Sequence, residues 1–208
     1  MDKKPLKFIG LTGTFAAGKG AVIETVKKLL GKKAASFSTS DFVREEAAKR
    51  GMSLERNNLQ AIANELRASR GNGVLAEMAL ERAKTLPPHA KIVLVDGIRN
   101  PGEVETLRKA LGKNFRLWAV DAPIELRYER VKQRARAGEH LLSFTEFKAS
   151  EEKERRGAIA AGQSIDACMA LADDLIENNG SLDELEKKVV ALLHRASVKD
   201  FALTSSKT

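Results

Sequence analysis

Between a short apolar stretch and an amphipathic one, the chain carries Gly13-Thr14-Phe15-Ala16-Ala17-Gly18-Lys19-Gly20, with the spacing G-x-x-x-x-G-K. Nothing else in the sequence limits the fold so narrowly. Lys7 to Leu11 reads as a strand, and Val22, Ile23, Val26, Leu29 and Leu30 recur at helical spacing until Gly31. Glycines between a strand and a helix let the backbone curl so that successive N–H groups face one concavity. The helix N-terminus adds partial positive charge and Lys19 a full one. Such a loop cradles the β- and γ-phosphates of a nucleoside triphosphate. Gly13, Thr14, Phe15, Ala16, Ala17, Gly18, Lys19, Gly20 and Ala21 are therefore expected to contact it. The usual motif continues with Ser or Thr, whose hydroxyl meets Mg²⁺. Here Gly20 and Ala21 stand instead, so magnesium is expected on nucleotide oxygens, water and a distant carboxylate.

The remaining chain alternates strands and helices. Ala34 to Ser38, Lys91 to Val95, Arg116 to Val120 and Leu175-Ile176 read as strands. Helical patterns cover Asp41 to Arg50, Leu59 to Leu66, Val74 to Leu86 and Pro101 to Leu111, then run from Pro123 to about Arg136 and onward from Ser181. The run Ile92-Val93-Leu94-Val95 is apolar on both faces, as a buried parallel strand requires. This predicts an α/β fold with a central parallel sheet, whose ligands bind beyond the carboxyl ends of the strands.

Composition narrows the partners. Thirty-six Lys and Arg against 28 Asp and Glu give +8, a balance that favours anionic partners. One cysteine, Cys168, excludes an internal disulfide, and His89, His140 and His194 show no metal-ligand spacing. One tryptophan and one tyrosine, without basic-aromatic interleaving, argue against nucleic acid. Nothing resembles a secretory leader or membrane span, so a cytoplasmic address is expected. Residues 1–196 are expected to form a single domain, with 197–208 a flexible tail.

Three further constellations carry chemistry. Ser38-Thr39-Ser40-Asp41-Phe42-Val43-Arg44 follows the second strand. Thr39, Ser40 and Arg44 are candidates for holding a second anionic substrate, and Ser40 also suits a helix N-cap. Asp96 closes the third strand, where a carboxylate holds magnesium through water, and Arg99 follows in the same crevice. Arg127, Arg130 and Arg134 share one helix face, with Arg130 and Arg134 the candidates for gripping a nucleotide. The charged segment from 135 to 163, with Phe144 and Phe147, reads as a short helical lid that excludes water.

Together these residues resemble the nucleoside monophosphate kinase group, which includes adenylate kinase and dephospho-CoA kinase. Ser38 to Arg44 is similar to the adenylate kinase acceptor motif, and Asp96-Gly97-Ile98-Arg99 to its Asp-Gly-Phe-Pro-Arg motif, one residue shorter. Val43 to Gly51, Glu65-Leu66-Arg67, Val95 to Arg99 and Gly102 to Glu105 resemble a prokaryotic family of adenylate-kinase-related proteins more closely. Ala172 to Leu182 is similar to dephospho-CoA kinases. The resemblance implies a three-layer α/β/α P-loop kinase fold of about five parallel strands. It also implies ATP and Mg²⁺ as cofactors, Arg130 near adenine, Arg134 near the phosphates and Arg67 as an acceptor-phosphate ligand.

The expected activity is phosphoryl transfer from Mg-ATP to a small phosphorylated acceptor, foremost a (deoxy)nucleoside monophosphate. Lys19, Asp41, Asp96, Arg99 and Arg134 are the expected catalytic residues. Two alternatives stand beside it. One is transfer to a ribose hydroxyl, as on dephospho-CoA, with Asp41 as base. The other is a nucleotide switch or weak ATPase without an acceptor, mildly favoured by Gly20 and Ala21. The oligomeric state is left open.

Overall fold

The computed structural model describes residues 6–134, 142–156 and 162–196. Five strands form one parallel sheet: β1 (Lys7–Gly13), β2 (Ala34–Ser38), β3 (Ile92–Asp96), β4 (Phe115–Asp121) and β5 (Asp174–Glu177), in the order β2-β3-β1-β4-β5. The helices are α1 (Lys19–Leu30), α2 (Thr39–Lys49), α3 (Arg56–Arg70), α4 (Val74–Lys84), α5 (Pro101–Leu111), α6 (Ile124–Arg134), α7 (Phe144–Arg156), α8 (Ile165–Ala170) and α9 (Leu182–Arg195).

The sheet is buried on both faces because its central strands are apolar at successive positions. Ile92 and Leu94 join Ile9, Leu11, Trp118 and Val120 in a core closed by α1 and α9. Val93 and Val95 face the other way, into a core shared with Phe8, Phe115, Leu117 and helices α2, α3, α4, α5 and α8. Each such side chain contributes about 1.5–3 kcal/mol by leaving water. The result is the expected three-layer α/β/α architecture.

Helix starts differ slightly from the sequence expectation. α2 begins at Thr39, and Ser38 rather than Ser40 is its N-cap. Ser38 Oγ accepts from the Ser40 N–H at 3.2 Å, while Asp41 Oδ2 accepts from the Ser38 N–H at 2.8 Å. α5 carries a reciprocal cap between Asn100 and Glu103, and α9 the expected one between Ser181 and Glu184. The short helix α8 had no periodic signal and was not expected.

Within the proposed lid, Phe144 to Arg156 form α7. Residues 135–141 and 157–161 of that segment, and the tail 197–208, lie outside the described residues. Among the described residues no helix is long and apolar enough to cross a membrane.

Candidate active site

The phosphate loop turns sharply at two of its glycines. Gly13 has φ +129°, and a Cβ there would lie 2.0 Å from the Val120 carbonyl oxygen. Gly18, at φ +103°, backs onto Asn178, whose Nδ2 would lie 2.1 Å from an added Cβ. Between them Ala16 occupies the left-handed region at φ 60°, a strained setting for a residue with a Cβ.

The rest of the molecule holds this loop by its carbonyls, and within the loop the Ala17 N–H donates to Thr14 O at 3.3 Å. Lys19 Nζ donates to Gly13 O and Thr14 O, each at 2.9 Å. Arg127 Nη1 donates to Phe15 O at 3.2 Å and Nε to Ala122 O at 2.7 Å. Arg130 bridges Ala17 O at 3.2 Å and Asn178 O at 2.7 Å, and Asn178 Nδ2 donates to Ala17 O at 2.9 Å. Thr14 Oγ1 donates to Asp121 Oδ1 at 2.7 Å, so this hydroxyl is occupied at the foot of the loop. The Arg134 guanidinium stacks 5.3 Å from the Phe15 ring centroid, and Arg56 at 5.2 Å.

Lys19 is the electrostatic centre. Burial lowers its ammonium pKa to about 8; Asp96 and Asp121 oppose that shift, while Arg99 and Arg127 add to it. Asp96 therefore lies beside the loop at the end of β3, and its Oδ1 is buried with no hydrogen-bond partner. Such a carboxylate oxygen fits a hydrated magnesium ion. Among the described residues there is no cluster of three or more His, Cys, Asp or Glu side chains able to bind a metal by themselves. Arg99 faces the same region: burial lowers its pKa and Asp96 opposes the shift. Arg99 Nη1 donates to Gln163 Oε1 at 3.3 Å.

The acceptor-side residues are placed differently from one another. Arg44 is exposed on α2 with no side-chain partner among the described residues. Thr39 is buried, its hydroxyl donating to Gly97 O at 2.8 Å. That bond ties the start of α2 to the loop after β3, where a Cβ on Gly97 (φ +84°) would lie 2.7 Å from Thr39 Oγ1. Ser40 is half-buried in the first turn of α2, and Asp41 is committed through Oδ2 to the helix cap. Arg67, expected as a phosphate ligand, is instead 3% exposed and paired with the fully buried Glu103 at 2.9 Å. Its guanidinium is enclosed in the core and is not presented to a ligand.

α7 packs against the loop and α6 through its aromatic side chains. Phe147 packs 6.1 Å from Phe15 and 5.5 Å from Tyr128, and Tyr128 packs 5.3 Å from Phe144, all between ring centroids. Glu151 places Oε1 2.6 Å from Arg127 Nη1, with both side chains buried.

Comparison with known proteins fixes the lineage. An AAA domain family model matches residues 12–143. A UPF0200 protein from Thermococcus gammatolerans is 32% identical over 186 residues, 89% of this chain and 93% of that protein. The chain belongs to the AAA-domain and UPF0200 families. A UPF0200/UPF0201 protein from Archaeoglobus fulgidus is 34% identical over 188 residues; the match covers 90% of this chain but 55% of that protein, about half its length. Among solved structures, TT1252 from Thermus thermophilus aligns with a TM-score of 0.59 at 22% identity, covering 92% of this chain and 98% of that one. A shikimate kinase from Acinetobacter baumannii aligns at 0.54 and 19% identity, covering 93% and 96%. The fold of this UPF0200 chain is that of the P-loop kinases.

Several residues that shape the candidate site carry only weak signals in the sequence. Arg127 was grouped with Arg130 and Arg134 but not singled out, yet it is the most buried of the three. Asp121 and Asn178 hold the loop from β4 and from the end of β5. Their positions just beyond strand ends were the available signal. Gln163 had no local signal, since its partner is distant in sequence, and the Asn100-x-x-Glu103 spacing signals only the helix cap and not the pairing with Arg67.

Proposed function

We propose that this protein transfers the γ-phosphoryl group of Mg-ATP to a small phosphorylated acceptor, most simply a (deoxy)nucleoside monophosphate. The observation that carries this is the meeting of Lys19, Asp96 and Arg99 at the carboxyl ends of β1 and β3, with Asp96 Oδ1 buried and unpartnered.

The chain's own part is positioning and charge neutralisation. The loop amides and Lys19 hold the triphosphate. Asp96 would hold magnesium through water, and bound there the metal would neutralise charge on the phosphate oxygens. Arg99 and Arg134 stabilise charge on the transferring group, and Arg130 keeps the loop shaped for the donor. Arg44 and Arg99 meet the acceptor phosphate. α7, resting on Phe15, keeps water from competing as acceptor.

A phosphate acceptor is favoured over a hydroxyl one by the state of Asp41. A nucleoside monophosphate is largely ionised near neutral pH, since its second pKa is about 6 like that of a phosphoserine, and it needs no base. A ribose hydroxyl benefits from one. The carboxylate that would do that work, Asp41, commits Oδ2 to the Ser38 N–H at 2.8 Å. The likeness to shikimate kinase carries the fold and leaves the acceptor to this site.

ADP release from Mg-ATP, measured against ribo- and deoxynucleoside monophosphates and dephospho-CoA, tests the proposal. A rate that depends on one monophosphate and disappears in Lys19→Met supports it. ATP loss that ignores every acceptor replaces it with the switch or ATPase reading.

A further inference from the structure

We propose that the buried Arg67–Glu103 pair is a positioning device for Arg99: Arg67 neutralises Glu103 so that the Arg99 guanidinium stays available to substrate. The role assigned to Arg99 rests on the kinase reading above; the placement of Arg99 by this pair does not.

Glu103 lies in the first turn of α5, fully buried. Its two oxygens do different work. Oε1 accepts from Arg67 Nε at 3.1 Å and Nη2 at 2.9 Å. Oε2 accepts from the backbone N–H of Arg99 at 2.8 Å and of Asn100 at 3.2 Å. One carboxylate thus links α3 to the backbone that carries Arg99.

Arg99 lies just before Asn100, the N-cap of α5, and the oppositely charged Glu103 in the first turn attracts its guanidinium. They do not pair. Arg67 saturates the oxygen that would receive the Arg99 guanidinium, and among the described residues Arg99 makes no ion pair. Its side-chain partner is the neutral Gln163 Oε1 at 3.3 Å, an acceptor that a phosphate oxygen outcompetes. The Arg99 backbone is fixed on its other side as well, its carbonyl accepting from the Ser164 N–H at 2.7 Å. A buried ion pair adds little stability over an apolar replacement. What it adds here is a carboxylate that orders two backbone amides without capturing the neighbouring cation.

The charge logic gives opposite signs for the two partners. Arg67→Met frees the Glu103 carboxylate to draw in the Arg99 guanidinium. Glu103→Gln keeps an oxygen for the two amides but leaves the Arg67 cation to repel Arg99 toward the cleft. Arg67→Met/Glu103→Gln removes both charges and restores balance.

The test is the rate of phenylglyoxal modification at Arg99, followed by peptide mass spectrometry on folded full-length protein, with steady-state kinetics alongside. Arg99 is expected to react several-fold more slowly in Arg67→Met, faster in Glu103→Gln and near the parent rate in the double variant. The acceptor KM is expected to rise about tenfold in Arg67→Met while the ATP KM moves less than about twofold. If Arg67→Met does not fold, Glu103→Gln still decides by its opposite sign. Unchanged Arg99 reactivity in the folded variants overturns the proposal and leaves the pair a purely structural one. The expected reactivity pattern in a protein that phosphorylates no acceptor upholds the positioning role and removes the kinase reading alone.

Discussion

The Lys19 ammonium donates to the carbonyl of Gly13 at 2.9 Å, closing the phosphate loop onto the strand residue that begins it. Burial brings its pKa down to about 8, so the charge that meets ATP is lost unusually early on the alkaline side. ATP stabilises the protonated form and raises that pKa in the complex. ATP affinity is therefore expected to be flat below pH 8 and to weaken above it, by at most about tenfold per pH unit. Calorimetric titration between pH 6.5 and 10 checks this through the dissociation constant and through proton uptake on binding above pH 8. In Lys19→Met both effects disappear. A flat profile in the parent protein contradicts the placement of the lysine charge.

Gly18 and Asn178 pack closely at the end of the loop. Gly18→Ala is expected to abolish ATP binding, because its Cβ would lie 2.1 Å from Asn178 Nδ2 and because φ is +103°. Asn178→Ala removes the bond to Ala17 O and is expected to cost about 1–2 kcal/mol, through one buried hydrogen bond. The double variant clears the contact but not the backbone strain, so it stays defective. Equilibrium dialysis with ATP and urea unfolding separate the two effects.

Glu151 on α7 sits against a nearly enclosed guanidinium. Glu151→Ala leaves the Arg127 charge buried without its counter-charge, and the expected loss is about 3 kcal/mol. Arg127 keeps its bonds to Phe15 O and Ala122 O, so Glu151→Gln is expected to lose less. Urea midpoints at a common slope report both. No change in Glu151→Ala contradicts the docking of α7 on α6.

Cys168 is fully buried beneath β1, and burial pushes its thiol up to about 12. It is expected to resist Ellman's reagent in the native protein and to react stoichiometrically in urea. Rapid native reaction contradicts its place in the core.

Local patterns carried much of the fold. Ile92 to Asp96 was legible because a continuous apolar run ending in a carboxylate suits a central parallel strand. The phosphate loop was legible because its glycines do a job no other residue can do. α8 was missed because six residues give too little periodicity to detect. Arg67 was misplaced for a different reason. Its candidacy came only from the family resemblance that includes Glu65-Leu66-Arg67, and the partner that encloses it lies 36 residues away on α5. Pairing across the fold decides whether an arginine faces solvent or core, and a linear pattern does not record it. The same holds for Asn178, 161 residues from the carbonyl that it grips.

The most direct test of the central claim is label transfer. The protein is incubated with ATP labelled at the γ-phosphate, magnesium and each candidate nucleoside monophosphate, and the products are separated. The account predicts label in a nucleoside diphosphate made from the acceptor, lost in Lys19→Met and strongly reduced in Asp96→Asn. Label appearing as inorganic phosphate at the same rate with every acceptor, or remaining wholly in ATP, would contradict it.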